Sequence, residues 1–134
     1  MRVVVNVDGG ARGNPGPAAI AAVASTPDGD VLAERGKRLA PTTNNVAEYR
    51  ALLLGIETAR ELGADEIELV GDSELVVRQV LGDYKVKNAG LQPLHAEVVE
   101  ALDGFADWSI RHVRREDNAA ADRIVNEVLD GARA

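Results

Sequence analysis

Two short aliphatic runs, Arg2 to Val7 and Glu66 to Val70, each lead into an aspartate beside glycine, as Asp8-Gly9-Gly10 and Gly71-Asp72. Between them lie two further strand-like segments and a long stretch with helical spacing. A helical crossover of that kind returns the later strand parallel to the first and with right-handed connection. Parallel neighbours send their carboxyl ends to the same edge of the sheet, where open α/β sheets place their ligands. The pattern therefore predicts Asp8 and Asp72 side by side at one edge. Gly9-Gly10 reads as a sharp turn that also lets a ligand approach the backbone.

The remaining segments fill in the frame. Gly13-Asn14-Pro15-Gly16-Pro17 is turn chemistry, Ala18 to Ser25 reads as a second strand, and Thr26-Pro27-Asp28-Gly29-Asp30 breaks it before a third strand from Val31 to Leu39. Thr42-Thr43-Asn44-Asn45 offers capping side chains for a helix from Asn44 or Asn45 to about Leu62, stopped by Gly63. Within it, Glu48 heads the series Ala51, Leu52, Gly55, Ile56 and Ala59, so an acid begins the buried stripe. A short helix from Ser73 to Leu81, a polar connection from Tyr84 to Gly90, a helix to about Leu102, a strand from Asp107 to Val113 and a helix from about Asp117 complete the chain. Asp122 borders the apolar stripe of that last helix, beside Ile124, Val125, Val128 and Leu129. The predicted order is βββαβααβα, an α/β fold with a mixed five-stranded sheet and helices packed against it.

Each acid alone has an ordinary explanation: Asp8 and Asp72 as turn or cap residues, Glu48 as a first-turn acid favoured by the helix dipole, Asp122 as a solvated helix residue. Composition narrows the options. With 134 residues and 46% hydrophobic content the sequence predicts one globular domain over 1–134, with 131–134 as a flexible tail or a boundary to a further domain. No apolar run is long enough to span a membrane and no secretory leader is visible, so a cytoplasmic protein is expected. The absence of cysteine removes disulfides, thiolate metal sites and cysteine nucleophiles together. A metal would rest on oxygen ligands or on the two histidines, and carboxylates favour a hard cation such as Mg²⁺ or Mn²⁺. The formal charge of −7 argues against a phosphate-bearing partner only while the carboxylates stay unloaded, because two divalent cations would add four positive charges.

Asp8-Gly9-Gly10 ahead of Gly13-Asn14-Pro15-Gly16-Pro17, Thr42-Thr43-Asn44-Asn45 ahead of Glu48, Asp72-Ser73, and Glu116-Asp117-Asn118-Ala119-Ala120-Ala121-Asp122 occur in one order and spacing. Together they resemble type 1 ribonuclease H, over nearly the whole chain from Val3 to about Leu129. The resemblance implies a ribonuclease H-like fold and an endonuclease that cuts the RNA strand of an RNA–DNA hybrid, leaving 5′-phosphate and 3′-hydroxyl ends. It implies two Mg²⁺ ions per site, with Mn²⁺ as a substitute. Asp8 would bridge the ions, Asp122 would complete the site that activates water, and Glu48 and Asp72 would hold the ion facing the leaving oxygen. That agrees with the needs of phosphodiester hydrolysis, in which an activated water attacks on one side while charge is neutralised at the leaving oxygen on the other.

The same resemblance implies a set of substrate contacts. Asn14, Asn44 and the position of Glu74 would meet the hybrid near the cut, and Thr43 would help to hold a DNA-strand phosphate. Asn14, Asn44 and Asn45 carry both donors and acceptors, as reading a 2′-hydroxyl requires, and the backbone at Gly9 and Gly10 can approach the sugars. Glu74 stands where relatives often have glutamine, and an ionised carboxylate cannot donate. Only Tyr84-Lys85-Val86-Lys87-Asn88 remains of the basic protrusion of many bacterial members, which places the chain with the compact subgroup and implies weaker, more salt-sensitive hybrid binding. Arg115 occupies the loop where several members have a histidine that assists product departure. A binding module that no longer cuts and the nuclease part of a larger protein are the alternatives on the same fold.

Overall fold

The computed structural model describes residues 1–133. Five strands form one sheet in the order β3-β2-β1-β4-β5, from β1 (Arg2–Ala11), β2 (Gly16–Ser25), β3 (Val31–Thr42), β4 (Glu66–Gly71) and β5 (Asp107–His112). β1, β2 and β3 make an antiparallel meander, whereas β4 pairs parallel to β1 and β5 parallel to β4. The helices are α1 (Asn44–Glu61), α2 (Glu74–Leu81), α3 (Gln92–Leu102) and α4 (Ala119–Leu129), with a 3-10 turn at Arg115–Asn118 leading into α4. The expected order βββαβααβα and mixed sheet are what the chain adopts. Ala134, the last residue of the expected tail, lies outside the described residues; Arg133 forms ion pairs with Glu34 and Glu127.

Alternation along the strands sorts the core into two layers. Val3, Val5 and Val7 of β1, with Ala18, Ile20, Ala22 and Ala24 of β2, meet Ala47, Ala51, Leu52, Ile56 and Ala59 of α1 on one face. On the other face Ala19, Ala21 and Val23 of β2 meet Ala121, Ile124, Val125 and Val128 of α4. The small residues of β2 allow a helix to lie close on both of its sides. A buried polar pair anchors the α1 layer: the Tyr49 hydroxyl donates to Gln79 Oε1 of α2 at 2.6 Å. His95 Nε2 of α3 lies 3.0 Å from the Gln79 carbonyl oxygen, a fold contact remote from the acids.

Three local expectations change. β1 does not end at Val7: it continues to Ala11, and Gly9 and Gly10 pair with Ile20 and Ala19 of β2. The turn comes later, where Arg12 N–H donates to the Pro17 carbonyl and Gly13 takes φ +91°. Gly9 is required for a different reason, because α1 lies against it so closely that a Cβ there would sit 2.3 Å from the Ala47 carbonyl oxygen. β3 runs to Thr42 rather than Leu39, and the last helix begins at Ala119 after its 3-10 turn rather than near Asp117.

Gly9→Ala should therefore force α1 away from β1. Overpacking of this kind costs about 1–3 kcal/mol, and here the obstacle is backbone, so the upper end is expected as a fall in the urea midpoint. An unchanged midpoint would show that the approach of α1 is not fixed as described.

Candidate active site

The parallel pairing of β1 with β4 ends at Asn6 opposite Val70, and beyond it the two strands part. Asp8 follows on β1, its side chain sharing parity with Asn6, and Asp72 follows the last residue of β4. Glu48 comes from the start of α1 and Asp122 from the first turn of α4. Two strand ends and two helix starts thus meet at one sheet edge. Asn118 fixes the α4 side of this meeting: it is 1% exposed, its Nδ2 donates to the Val7 carbonyl at 2.8 Å, and its Oδ1 accepts from Asn6 Nδ2 at 3.1 Å.

Asp8, Glu48 and Asp72 each offer a carboxylate oxygen within 4.8 Å of the others. Asp8 and Glu48 are buried, at 6% and 9% exposure. Burial pushes the Asp8 carboxyl up to about 7, with the charges of Asp72 and Asp122 adding to the effect and Arg115 opposing it. Burial likewise raises Glu48 well above the ordinary glutamate range, reinforced by Asp8 and Asp72, while the Gly9 N–H, 3.4 Å from Oε1, pulls the other way. A cluster of acids that resists losing its protons yet presents several hard oxygens to one point has the donor chemistry of a Mg²⁺ or Mn²⁺ site. Asp122 meets the trio through Asp8, with which it shares a side-chain hydrogen bond, and its Oδ1 accepts from Arg115 Nη2 at 3.3 Å.

The groove around the acids is lined by Gly9, Gly10, Asn44, Asn45, Ser73 and Arg115 among others. Thr43, Asn14 and Glu74 are not on its wall. Thr43 is the N-cap of α1, its Oγ1 accepting from Val46 N–H at 3.3 Å. Asn14 Oδ1 accepts from Asn44 N–H at 3.0 Å, and Asn44 Oδ1 accepts from Ala11 N–H at 2.8 Å, so these amides lash the end of β1 to the start of α1. In both, the oxygen is committed to the fold and the Nδ2 donors are the atoms left to offer. Glu74 is exposed on α2, 4.0 Å from Arg78. His112 is exposed at the end of β5, opposite Gly71.

Sequence reasoning missed part of the wall. Val125, Asn126 and Leu129 line the groove with Asp122. Their spacing of three, four and seven from Asp122 is the signal that could have found them, since it defines one helix face. Arg12 also lines the groove, and nothing local in its turn sequence marks it. Among the described residues no helix is long and apolar enough to cross a membrane.

A family described as "Reverse transcriptase-like" matches residues 6–128. A curated ribonuclease HI of Halobacterium salinarum is 46% identical over 131 residues, covering 98% of this chain and 66% of its own length. A bifunctional protein of Mycobacterium tuberculosis is 44% identical over 133 residues, covering 98% of this chain and 36% of its own. The chain thus spans about two thirds of the first relative and about a third of the second. The crystal structure of RNase H1 from H. salinarum superposes with a TM-score of 0.96 at 45% identity, covering 98% of this chain and 99% of that one. A compost-derived RNase H1 solved with an RNA/DNA hybrid gives 0.92 at 40% identity, again over 98% and 99%.

The raised Asp8 carboxyl has a thermodynamic consequence without divalent cation. Unfolded aspartate titrates near 3.9, so between about pH 4 and 7 the folded state holds a proton that the unfolded state has lost, and stability falls as pH rises through that window. Glu61 and Asp65, held below their ordinary range by Arg35 and the amino terminus, lose their contribution only as pH falls through lower values. In chelator the melting temperature should be higher at pH 5.5 than at pH 8. Asp8→Asn should raise stability at pH 8 by on the order of 2 kcal/mol and flatten the dependence. A melting temperature that climbs from pH 5.5 to 8, or a destabilised Asp8→Asn, would contradict the electrostatic account.

Proposed function

The chain belongs to the type 1 ribonuclease H family, and from that we propose that residues 1–134 act as one domain that hydrolyses the RNA strand of RNA–DNA hybrids, leaving 5′-phosphate and 3′-hydroxyl ends. The observation that carries the reading is the convergence of Asp8, Glu48 and Asp72 within 4.8 Å, with Asp122 facing them from α4. Two bound Mg²⁺ ions, or Mn²⁺ in their place, would supply charge neutralisation at the phosphate and a more acidic water. Asp8, which interacts with Glu48 and Asp72 as well as with Asp122, would hold both ions, and Asp122 would help to orient the attacking water. Glu48 and Asp72 would hold the ion that offsets charge at the leaving oxygen. No protein nucleophile is called for.

The substrate side of the reading rests on the amides. The donors of Asn14 and Asn44, the free side chain of Asn45 and the glycine backbone of β1 suit 2′-hydroxyls in a shallow minor groove. Arg115 pairs with Asp122 and can exchange that carboxylate for a phosphate oxygen, which suits a role in product departure. Glu74, exposed and beside Arg78, could accept from the hybrid but not donate while ionised. Such an activity belongs in the cytoplasm, a setting a cysteine-free chain tolerates.

Incubation with end-labelled RNA–DNA hybrid, RNA duplex, DNA duplex and single strands, with Mg²⁺ or Mn²⁺ and with chelator, tests the proposal. Cutting should be confined to the RNA of the hybrid and stop in chelator. Loss of even an outer partner of a metal site costs about 10–100-fold, so Asp8→Asn should lower the rate by roughly a hundredfold or more. Hybrid left intact with either metal, or Asp8→Asn cutting as fast as wild type, would refute it.

A further inference from the structure

Arg12 is the cation of the groove wall that the chemistry above leaves unused. Its guanidinium is held from below by α4: Nη1 donates to Asp130 Oδ1 at 2.6 Å and Nη2 lies 3.3 Å from Asn126 Oδ1. Asn126 is itself tied to α4 through a bond from its Nδ2 to the Asp122 carbonyl at 3.2 Å. Both ends of the Arg12–Asp130 pair are exposed, at 48% and 57% of the side chain. A pair so open to water contributes little to stability. Its geometric effect is larger, because two partners fix the plane of a group with five donors and leave the others available on a residue that lines the groove.

The backbone beneath is equally constrained. Arg12 N–H donates to the Pro17 carbonyl at 2.8 Å, and Gly16 packs so tightly on Arg12 that a Cβ there would meet its carbonyl oxygen at 2.0 Å. Asn14 pins the same turn to α1 through Asn44. β1 rises about 3.3 Å per residue, which puts the Cα of Arg12 roughly 13 Å from that of Asp8 along the groove. A phosphate held at the acids would lie beyond the reach of an arginine based there, and a neighbouring phosphate would lie within it.

Resting on the hybrid-nuclease reading, we propose that Arg12 grips a phosphate flanking the scissile one on the strand being cut, preset by Asp130 and Asn126 as a bidentate clamp. It is a positioning residue and takes no part in the chemistry. In a groove whose other cation, Arg115, is paired with Asp122, it supplies the local positive charge that phosphate binding demands.

The test uses steady-state cleavage of hybrid by wild type, Arg12→Ala and Arg12→Lys over a range of KCl concentrations, with melting temperatures as a folding control. Arg12→Ala should raise KM by roughly five- to tenfold with kcat unchanged, and lower the slope of log(kcat/KM) against log[salt] by about one. Arg12→Lys should restore the slope and only part of the KM, because it keeps the charge and loses the fork. On a hybrid whose cut strand carries uncharged linkages beside the cleavage position, wild type and Arg12→Ala should become equal. An unchanged salt slope, a fall in kcat alone, or a persistent difference on the uncharged hybrid would overturn the assignment to Arg12 while leaving the nuclease reading intact. A wild-type protein that neither binds nor cuts hybrid would overturn both.

Discussion

Parallel strands point their carboxyl ends the same way, and the pairing of β1 with β4 stops at Asn6 and Val70, two residues short of Asp8 and of Asp72. That register decides where the acids meet. A slip of one residue would send every side chain of β1 to the other face, exposing Val3, Val5 and Val7 and turning Asp8 into the α1 layer. The apolar demand of the core therefore fixes the polar geometry of the edge. α1 and α4 close on that edge because β2, between β1 and β3, is narrow on both faces, and their starts bring Glu48 and Asp122 to the strand ends.

Gathering these acids costs stability, and the structure offsets only part of the cost. Burial and mutual repulsion hold Asp8 and Glu48 above their ordinary range. The compensations are few: the Gly9 N–H at Glu48, the Arg115 guanidinium at Asp122, and the partial positive end of α4, whose first turn carries Asp122. The surrounding framework is correspondingly well tied, with Asn118 bonded to β1 and the Asn14–Asn44–Ala11 chain holding β1 to α1. Strain of this kind is typical where a fold keeps charges in place for a ligand instead of for itself.

Much of this was legible in the residues. Periodicity and crossover length gave the element order, the parallel return of β4 and the common edge of Asp8 and Asp72, because those follow from local pattern and chain geometry. Glu48 at the head of a buried stripe was visible for the same reason. Gly9-Gly10 suggests a turn because the dipeptide permits one, yet both residues lie within β1. What it serves instead, the approach of Ala47, is a contact 38 residues away that no local pattern encodes. Thr43, Asn14 and Asn44 were expected at the substrate, and in the fold their oxygens cap and tether, a partition that depends on which backbone N–H happens to lie opposite. Arg12 was invisible because its meaning comes from Asp130 and Asn126, more than a hundred residues on.

If the buried, proton-holding acids at this edge bind divalent cations, binding and proton loss are coupled. Calorimetric titration of Mg²⁺ and Mn²⁺ into the protein at pH 7, repeated in buffers of different ionisation enthalpy, measures binding and proton exchange together. Because Asp8 and Glu48 hold protons more tightly than ordinary carboxyls, cation binding should release protons, and Asp8→Asn should abolish or sharply reduce both signals. Binding without proton release, or the same binding by Asp8→Asn, would contradict the account.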